Sequence, residues 1–282
     1  MNGILIVNKP INVTSRDVVN HLNVVFHTKR IGHTGTLDPI ATGVLVVAIG
    51  SYTKLVNMLT SLDKEYIAEI KLGVKTDTLD ITGNILEQND DYNITREDII
   101  NVFNKFPKEY EQEVPAYSAV KINGKKLYEY ARNNEVITLP KRNVNIYSLE
   151  LISFENNIIK FKTHVSKGTY IRSLIADICS NLNVIGTMNS LERTKQGIFD
   201  INNSIDLENV NEETNLLTTE DVLDVNKYDL DENLYKLVIN GNKLYLNLKN
   251  GLYNMYYDNK CIALYELTDN IARLVMFYSR ND

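Results

Sequence analysis

Residues 29–45, K-R-I-G-H-T-G-T-L-D-P-I-A-T-G-V-L, decide how the rest of this sequence is interpreted. Glycine-rich loops often bind phosphate, but this one lacks the Lys-Ser/Thr pair of a Walker loop, and no G-x-G-x-x-G follows a strand. A structural turn therefore explains the glycines more simply. Asp38 is a separate question, because it lies between apolar segments, where burying a carboxylate without a partner is costly. Considered alone, an aspartate before proline is most often a turn former.

The segments on either side of this loop predict a mixed α and β domain. Residues 3–8 form an apolar run typical of a buried strand, and Thr14 with Asp17 resembles a capping box that begins a helix. Residues 66–72 alternate in the way of a half-exposed strand. Further helices are expected near 52–60, 95–106 and 170–182, and further strands near 44–50, 143–154 and 158–166.

The last third of the chain has a different pattern. Residues 230–278 show short alternating segments separated by Asn-Gly and Asp-Asn turns, which is typical of a small all-β module. The segment before it is polar. The predicted division is a catalytic domain over residues 1–205, a connector over 206–229 and a small C-terminal β domain over 230–282.

Composition and charge limit the class of protein. The apolar fraction is 44% and no run approaches the ~20 apolar residues of a membrane span. Two distant cysteines and the absence of a secretory pattern predict a reduced, cytoplasmic protein without membrane partners. The net charge is −6, but residues 1–200 carry 23 Lys+Arg and 22 Asp+Glu, whereas residues 201–282 carry 7 and 14. The acidity therefore lies in the tail, and the front part can still present a basic surface to phosphates.

The stretch around Asp38 resembles the signature of the TruB family of bacterial tRNA pseudouridine synthases, and other blocks follow in that family's order. Together the blocks cover about 200 residues, so chance agreement is negligible. They are G-I-L-I-V-N-K-P-x-x-x-T-S-x-D-V-V (3–19), D-K-x-Y (63–66), L-G-x-x-T-D-T-x-D-x-x-G (72–83), Y-S-A-V-K-x-x-G-K-K-L-Y-E-Y-A-R (117–132), S-K-G-T-Y-I-R-S-L (166–174) and L-E-R-T-K-x-G-x-F (191–199).

This resemblance implies both a fold and a reaction. The fold is α+β, a mixed and largely antiparallel sheet flanked by helices, with a C-terminal PUA-like β module. The reaction converts uridine to pseudouridine in the T-loop of tRNA, at position 55, by breaking the N-glycosidic bond and rejoining the base through C5. Such an isomerisation needs no cofactor, and none is expected. The implied partner is the T-arm of tRNA, without a guide RNA or protein subunit.

The resemblance also assigns roles to single residues. Asp38 matches the catalytic carboxylate, Arg172 the arginine that pairs with it, and Tyr66 the active-site tyrosine thought to stack on the uracil. Whether Asp38 attacks C1′, adds to C6 or assists elimination to a glycal is left open. Without the resemblance, Tyr66 is more often core and Arg172 a surface or phosphate-binding residue.

Four further residues are expected to bind substrate. Tyr170 and Leu191 match residues that line the uracil pocket, and His33 matches a histidine that packs where flipped nucleotides leave a gap. Lys64 is a candidate phosphate contact. Other basic candidates for phosphate contacts are Lys121, Lys125, Lys126, Arg132, Lys141 and Arg142.

Alternative interpretations of single residues and of the whole chain remain open, and the sequence differs from the family's usual pattern at Asn12. Asp77 and Asp80 favour a turn over a metal site, because no His or third carboxylate lies at ligand spacing. Asn12 stands where the family usually has glycine, and asparagine tolerates a left-handed backbone. A non-catalytic RNA-binding protein, the guide-RNA-dependent branch of the family and a glycoside hydrolase are the competing interpretations. The first strand begins at residue 3, without the extension expected of the guide-dependent branch.

Overall fold

Apolar runs and capping residues form the strands and helices of the computed structural model, which describes residues 1–133 and 135–278. The strands are, in chain order, β1 (Gly3–Lys9), β2 (Ile31–His33), β3 (Thr42–Ile49), β4 (Lys64–Leu72), β5 (Val74–Thr76), β6 (Ile85–Gln88), β7 (Glu109–Glu113), β8 (Lys121–Ile122), β9 (Lys125–Lys126), β10 (Lys141–Glu155), β11 (Ile158–Val165), β12 (Gly186–Gln196), β13 (Phe199–Asp200), β14 (Ile205–Asp206), β15 (Val225–Asp229), β16 (Leu244–Tyr245), β17 (Gly251–Tyr257), β18 (Lys260–Thr268) and β19 (Ile271–Phe277). The helices are α1 (Ser15–Val25), α2 (Val56–Thr60), α3 (Arg96–Lys105), α4 (Leu127–Arg132), α5 (Ile171–Asn181), α6 (Thr219–Val222) and α7 (Glu232–Val238), with 3₁₀ helices at Gly50–Leu55, Ile201–Asn203 and Leu207–Asn209.

Contacts within the chain define two compact units. The first comprises Met1–Asp38, Leu45–Ser61 and Asn202–Asp282, and the second comprises Pro39–Val44 and Leu62–Ile201.

The first unit begins with a buried strand and a capped helix. Thr14 accepts a hydrogen bond from the backbone of Asp17 and the Asp17 carboxylate accepts one from Thr14, which confirms the predicted capping box. Asn12 has φ of 63°, so it adopts the left-handed conformation expected there. Strand β1 lies between β3 and the short parallel β14. Apolar residues of β1, α1 and β3 pack into one core.

Strands of the acidic tail form a five-stranded sheet in the first unit. Its order is β15-β17-β18-β19-β16, with β15 parallel to β17 and the other pairs antiparallel. The prediction of a purely β module was wrong in one respect, because α7 precedes β16. Asp231 caps this helix and Ile239 is its C-cap; Gly241, two residues later, has φ of 69° and donates its N–H to the carbonyl of Val238. The first Asn-Gly pair thus follows a helix end, whereas Asp258 and Asn259 form a hairpin turn.

Part of the expected connector has regular structure. Strand β15 is the edge of the C-terminal sheet, and Leu217 exchanges backbone hydrogen bonds with Ile4 of β1 at 2.8 and 2.9 Å. The division into a catalytic domain, connector and C-terminal domain stays a prediction.

The second unit is built on a mixed sheet. Its strands follow the order β3-β12-β4-β11-β10-β7, in which β12 runs parallel to β3 and the remaining pairs are antiparallel. Strand β4 alternates buried and half-buried residues along its length, as predicted. Helix α3 packs on this sheet through Phe103, whose ring lies edge-on to Phe161 at 5.7 Å. Helix α5 packs on β12. The α+β class with a largely antiparallel sheet is therefore confirmed.

No helix in residues 1–133 or 135–278 has both the length and the apolarity that a bilayer span requires.

Candidate active site

Asp38 lies in a loop in which Thr34 and Leu37 are hydrogen-bonded to neighbouring elements. Thr34, at the start of the loop, is fully buried and donates its backbone N–H to the carbonyl of Val46 at 3.0 Å. The hydroxyl of Ser15 in α1 accepts from the backbone N–H of Leu37 at 2.9 Å. Asp38 itself has no regular secondary structure and is partly buried. The residue before the carboxylate is thus fixed to a helix, which limits how far the carboxylate can move.

The strand that follows the loop is fixed to its neighbour by close backbone approach. Gly43 has φ of 96°, and a Cβ atom there would lie 2.3 Å from the carbonyl oxygen of Arg193. Arg193 is 1% exposed and its Nε donates to the carbonyl of Val44 at 2.6 Å. A side chain at position 43 has no room, so the glycine of the I-A-T-G-V-L segment is required for this packing.

Lys64, Tyr66 and Leu191 lie on two neighbouring strands and share one face. Tyr66 of β4 pairs with Arg193 of β12, and Ala68 pairs with Leu191. Opposite residues of an antiparallel pair point to the same side, as do residues two apart on one strand. Tyr66 and Leu191 are each 7% exposed. The structure therefore groups these three predicted residues in the second unit.

Lys64 is the most unusual member of this group. Its side chain is buried, and its ammonium donates to the carbonyl of Leu62 at 2.6 Å. Burial and, to a smaller extent, the positive charge of Arg193 lower the pKa of Lys64 to about 8. The sequence predicted a phosphate contact here, and its burial distinguishes Lys64 from the exposed lysines.

Arg172 is buried at the N-terminal end of α5. Its guanidinium is 5% exposed and donates to the carbonyl of Thr78 at 2.9 Å and to that of Tyr117 at 3.0 Å. One carboxylate oxygen of Asp80 lies 3.9 Å from the same group. This burial excludes the interpretation of Arg172 as a surface residue. Because α5 begins at Ile171, the rule that residues two apart on a strand project to the same side does not apply to Tyr170 and Arg172.

The sequence did not predict that Asp80 lies beside Arg172. The interpretation of Asp77 and Asp80 as turn residues was correct, since Asp80 accepts from Thr78 and from both the backbone and hydroxyl of Thr82, at 2.5–3.0 Å. However, Asp80 is 6% exposed and faces Arg172. The signal in the sequence was a carboxylate between two threonines that supply its hydrogen bonds locally.

Tyr170 lies at the start of helix α5. It is the N-cap of α5, with extended geometry and no capping bond from its own side chain. The guanidinium of Arg142 lies 6.0 Å from the centre of its ring.

His33 and Asp38 belong to the first unit, where His33 pairs with Val47 and is partly buried. The five remaining predicted residues belong to the second unit.

A basic and aromatic arm, residues 121–132, contains the hairpin β8–β9 and helix α4. Lys125 lies over the ring of Tyr130 at 4.5 Å, and Lys126 and Arg132 lie 5.3 and 5.4 Å from the ring of Tyr128. Arg132 is exposed and the other two cations are partly exposed. Cations interleaved with aromatic rings suit a nucleic acid, whose phosphates and bases they can contact together.

Two solved structures share the fold of this chain. A chain in the solved structure of an H/ACA RNP bound to a substrate RNA containing 2′-deoxyuridine superposes with a TM-score of 0.70 at 22% identity, covering 99% of this chain and 86% of the other. The Cbf5–Nop10–Gar1 complex gives 0.70 at 24%, covering 97% and 85%. These likenesses show the fold.

The family follows from sequence. The model of the TruB family pseudouridylate synthase N-terminal domain matches residues 23–171. A protein of Clostridium tetani called tRNA pseudouridine synthase B is 41% identical over 98% of this chain and 99% of its own, and one of Clostridioides difficile with that name is 38% identical over 100% and 96%. A Mesoplasma florum protein so named is 45% identical over 82% and 81%. The chain belongs to the TruB family of pseudouridylate synthases and is therefore an isomerase.

Proposed function

We propose that this enzyme isomerises a uridine in the T-loop of tRNA. The observation that carries the proposal is 38–45% identity to proteins named tRNA pseudouridine synthase B, across at least 81% of their length. The motif around Asp38 supports the same assignment. We further propose a cytoplasmic location, where tRNA substrates are modified.

The reaction balances without a co-reactant. The N1–C1′ bond of uridine breaks, the uracil turns, and a C5–C1′ bond forms while C5 loses its proton and N1 gains one. We assign Asp38 as the catalytic carboxylate, acting by attack at C1′, addition at C6 or assistance to a glycal route. A partly buried position suits each of these roles, because a carboxylate shielded from water interacts more strongly with the reacting sugar or base.

Arg172 and Tyr66 are assigned as partners of Asp38 in catalysis. The burial of Arg172 and its bonds to two backbone carbonyls support a fixed guanidinium, which is the property that the proposed pairing with the catalytic carboxylate requires. The burial of Tyr66 on β4 supports a ring with few accessible rotamers, which suits stacking on uracil.

Tyr170, Leu191, His33 and Lys64 are assigned to substrate binding. The target base must leave its stack at a cost of a few kcal/mol before a carboxylate can reach it. Aromatic stacking contributes roughly 1–3 kcal/mol per base, so the rings of Tyr170 and His33 can offset this cost. Leu191 supplies an apolar wall.

The basic and aromatic arm is assigned to the T-arm of tRNA. Its cations carry no base-specific information, but they can fix the register of the RNA through phosphates. The tail has a charge balance of −7 and is not assigned to phosphate binding. We propose that the enzyme acts without a guide RNA or protein subunit, because the relatives with 38–45% identity are named for tRNA, whereas those in ribonucleoprotein complexes share only 22–24% identity.

Release of tritium tests the function directly. A tRNA transcript labelled with tritium at C5 of uridine loses label to water when C5 is joined to the sugar. The wild type is expected to release one label per tRNA, and a transcript with the T-loop uridine replaced by cytidine should release none from that site. Asp38→Asn should abolish release while tRNA binding is retained. Normal release by Asp38→Asn would exclude Asp38 as the catalyst.

A further inference from the structure

A chain of hydrogen bonds connects strand β7 to the start of α5. Gln112 of β7 is 1% exposed, and its side-chain oxygen accepts from the backbone N–H of Tyr170 at 2.7 Å. Its nitrogen donates to the carbonyl of Tyr170 at 3.1 Å and to the hydroxyl of Tyr110 at 2.9 Å. The Tyr110 hydroxyl donates to the Asp177 carboxylate at 2.8 Å. One amide thus binds both polar groups of a single backbone residue.

The backbone of Tyr170 determines which atom donates and which accepts in each of these hydrogen bonds. The N–H of Tyr170 can only donate, so the Gln112 oxygen must face it and the Gln112 nitrogen must face the carbonyl and Tyr110. The Tyr110 oxygen then accepts from Gln112 and gives its proton to Asp177. Burial and the negative charge of Asp177 raise the pKa of Tyr110, so its hydroxyl stays protonated.

These hydrogen bonds hold the backbone at the start of α5, and this position matters for catalysis. Tyr170 has no side-chain cap of its own, and α5 begins at the next residue. The backbone angles at Tyr170 determine where its ring lies and where Arg172, two residues later, directs its guanidinium. A displacement of about 1 Å in a reacting or binding group can lower a rate by roughly 10²-fold.

We infer that Gln112 is a positioning residue for the reaction, acting through the backbone of Tyr170 on both the Tyr170 ring and Arg172, with Tyr110 and Asp177 orienting its amide. This inference rests on the proposed roles of Tyr170 and Arg172. It places a specific requirement on residue 112: one acceptor and one donor, side by side, at the distance of a carboxamide.

The test compares four variants with the wild type in single-turnover tritium release, with enzyme in saturating excess over labelled tRNA. Gln112→Met keeps the size of the side chain and removes its polar atoms. Tyr110→Phe removes one anchor of the amide. Ser173→Ala is the matched control, because its hydroxyl also joins α5 to β7, donating to the carbonyl of Glu113 at 2.8 Å, without touching Tyr170. Each protein is assayed below its unfolding temperature, with tRNA affinity measured separately.

Gln112→Met is expected to slow release about 10- to 100-fold with tRNA affinity changed less than threefold. Tyr110→Phe should slow it several-fold, and Ser173→Ala should turn over at the wild-type rate. A wild-type rate in folded Gln112→Met, or an equal loss in Ser173→Ala, would overturn the inference.

Gln112→Glu, the fourth variant, adds a signature that loss of stability alone would not produce. A neutral carboxyl has one acceptor and a single O–H donor, enough to bind the N–H and the carbonyl of Tyr170, whereas a carboxylate has no donor and repels that carbonyl. Its rate relative to wild type should therefore rise as pH falls from 8 to about 5.5; a ratio independent of pH contradicts the inference. If the wild type itself releases no tritium from tRNA, the proposed function fails first, and that result is distinguishable from an active wild type with insensitive variants.

Discussion

Replacing Arg172 should reduce both stability and turnover, and the structure allows the two effects to be separated. The guanidinium donates to two backbone carbonyls from a 5% exposed position. Hydrogen bonds to charged groups contribute about 1.5–3 kcal/mol each. The nearest oxygen of Asp80 is 3.9 Å away, so the ion pair adds less than a direct hydrogen bond would. Arg172→Ala is therefore expected to lower the free energy of unfolding by about 3–5 kcal/mol.

Two companion variants divide this loss. Asp80→Asn keeps an oxygen for Thr78 and Thr82 but removes a buried charge 3.9 Å from the guanidinium, and should cost about 1–3 kcal/mol. Arg172→Lys keeps the charge but lacks the fork that reaches two carbonyls at once, so an intermediate loss is expected. Because domains are stable by only about 5–15 kcal/mol, Arg172→Ala must be assayed at low temperature, where it is still folded.

The measurements are urea unfolding followed by circular dichroism and single-turnover tritium release at 10 °C. Arg172→Ala should unfold at much lower urea and release label at least 10²-fold more slowly while folded. An unfolding midpoint within error of the wild type would refute the anchoring role derived from the two carbonyl bonds. A wild-type rate in the folded variant would refute its role in catalysis, even if the stability loss were as large as expected.

Three further outcomes are expected. Gly43→Ala should prevent stable folding, since its Cβ would lie 2.3 Å from the carbonyl oxygen of Arg193; a soluble variant with an unchanged melting temperature would contradict this packing. The pKa of Lys64 is lowered to about 8 from 10.5, so the unfolded chain binds more protons and stability should rise as pH increases from about 8 to 10.5. Lys64→Met should lack this rise, and an identical pH profile would show that Lys64 is not its source. Lys121→Ala, an exposed change in the arm, should weaken tRNA binding and reduce the slope of log Kd against log salt by about 0.7–0.9, whereas Lys249→Ala in the acidic tail should leave the slope unchanged. Equal slopes for the two variants would exclude the arm as the phosphate-binding surface.

Local patterns in the sequence predicted many of the longer elements of this fold, although the central strand β12 was not predicted. The alternation on β4, the capping box at Thr14 and the left-handed Asn12 each follow from interactions within a few residues, which is why sequence reveals them. The β pattern of residues 230–278 did not predict α7, because an Asn-Gly pair such as Asn240-Gly241 occurs after helix ends as well as in hairpin turns.

Sequence alone also determined the family, since its motifs retain their order and spacing over most of the chain. Tertiary structure alone decided the partners of those motifs. Arg172 meets carbonyls of Thr78 and Tyr117, and Gln112 meets the backbone of Tyr170, across separations of 55 to 94 residues. No local pattern encodes a bond to a distant backbone carbonyl, because every residue offers the same acceptor; only the folded structure determines which one lies within hydrogen-bond distance.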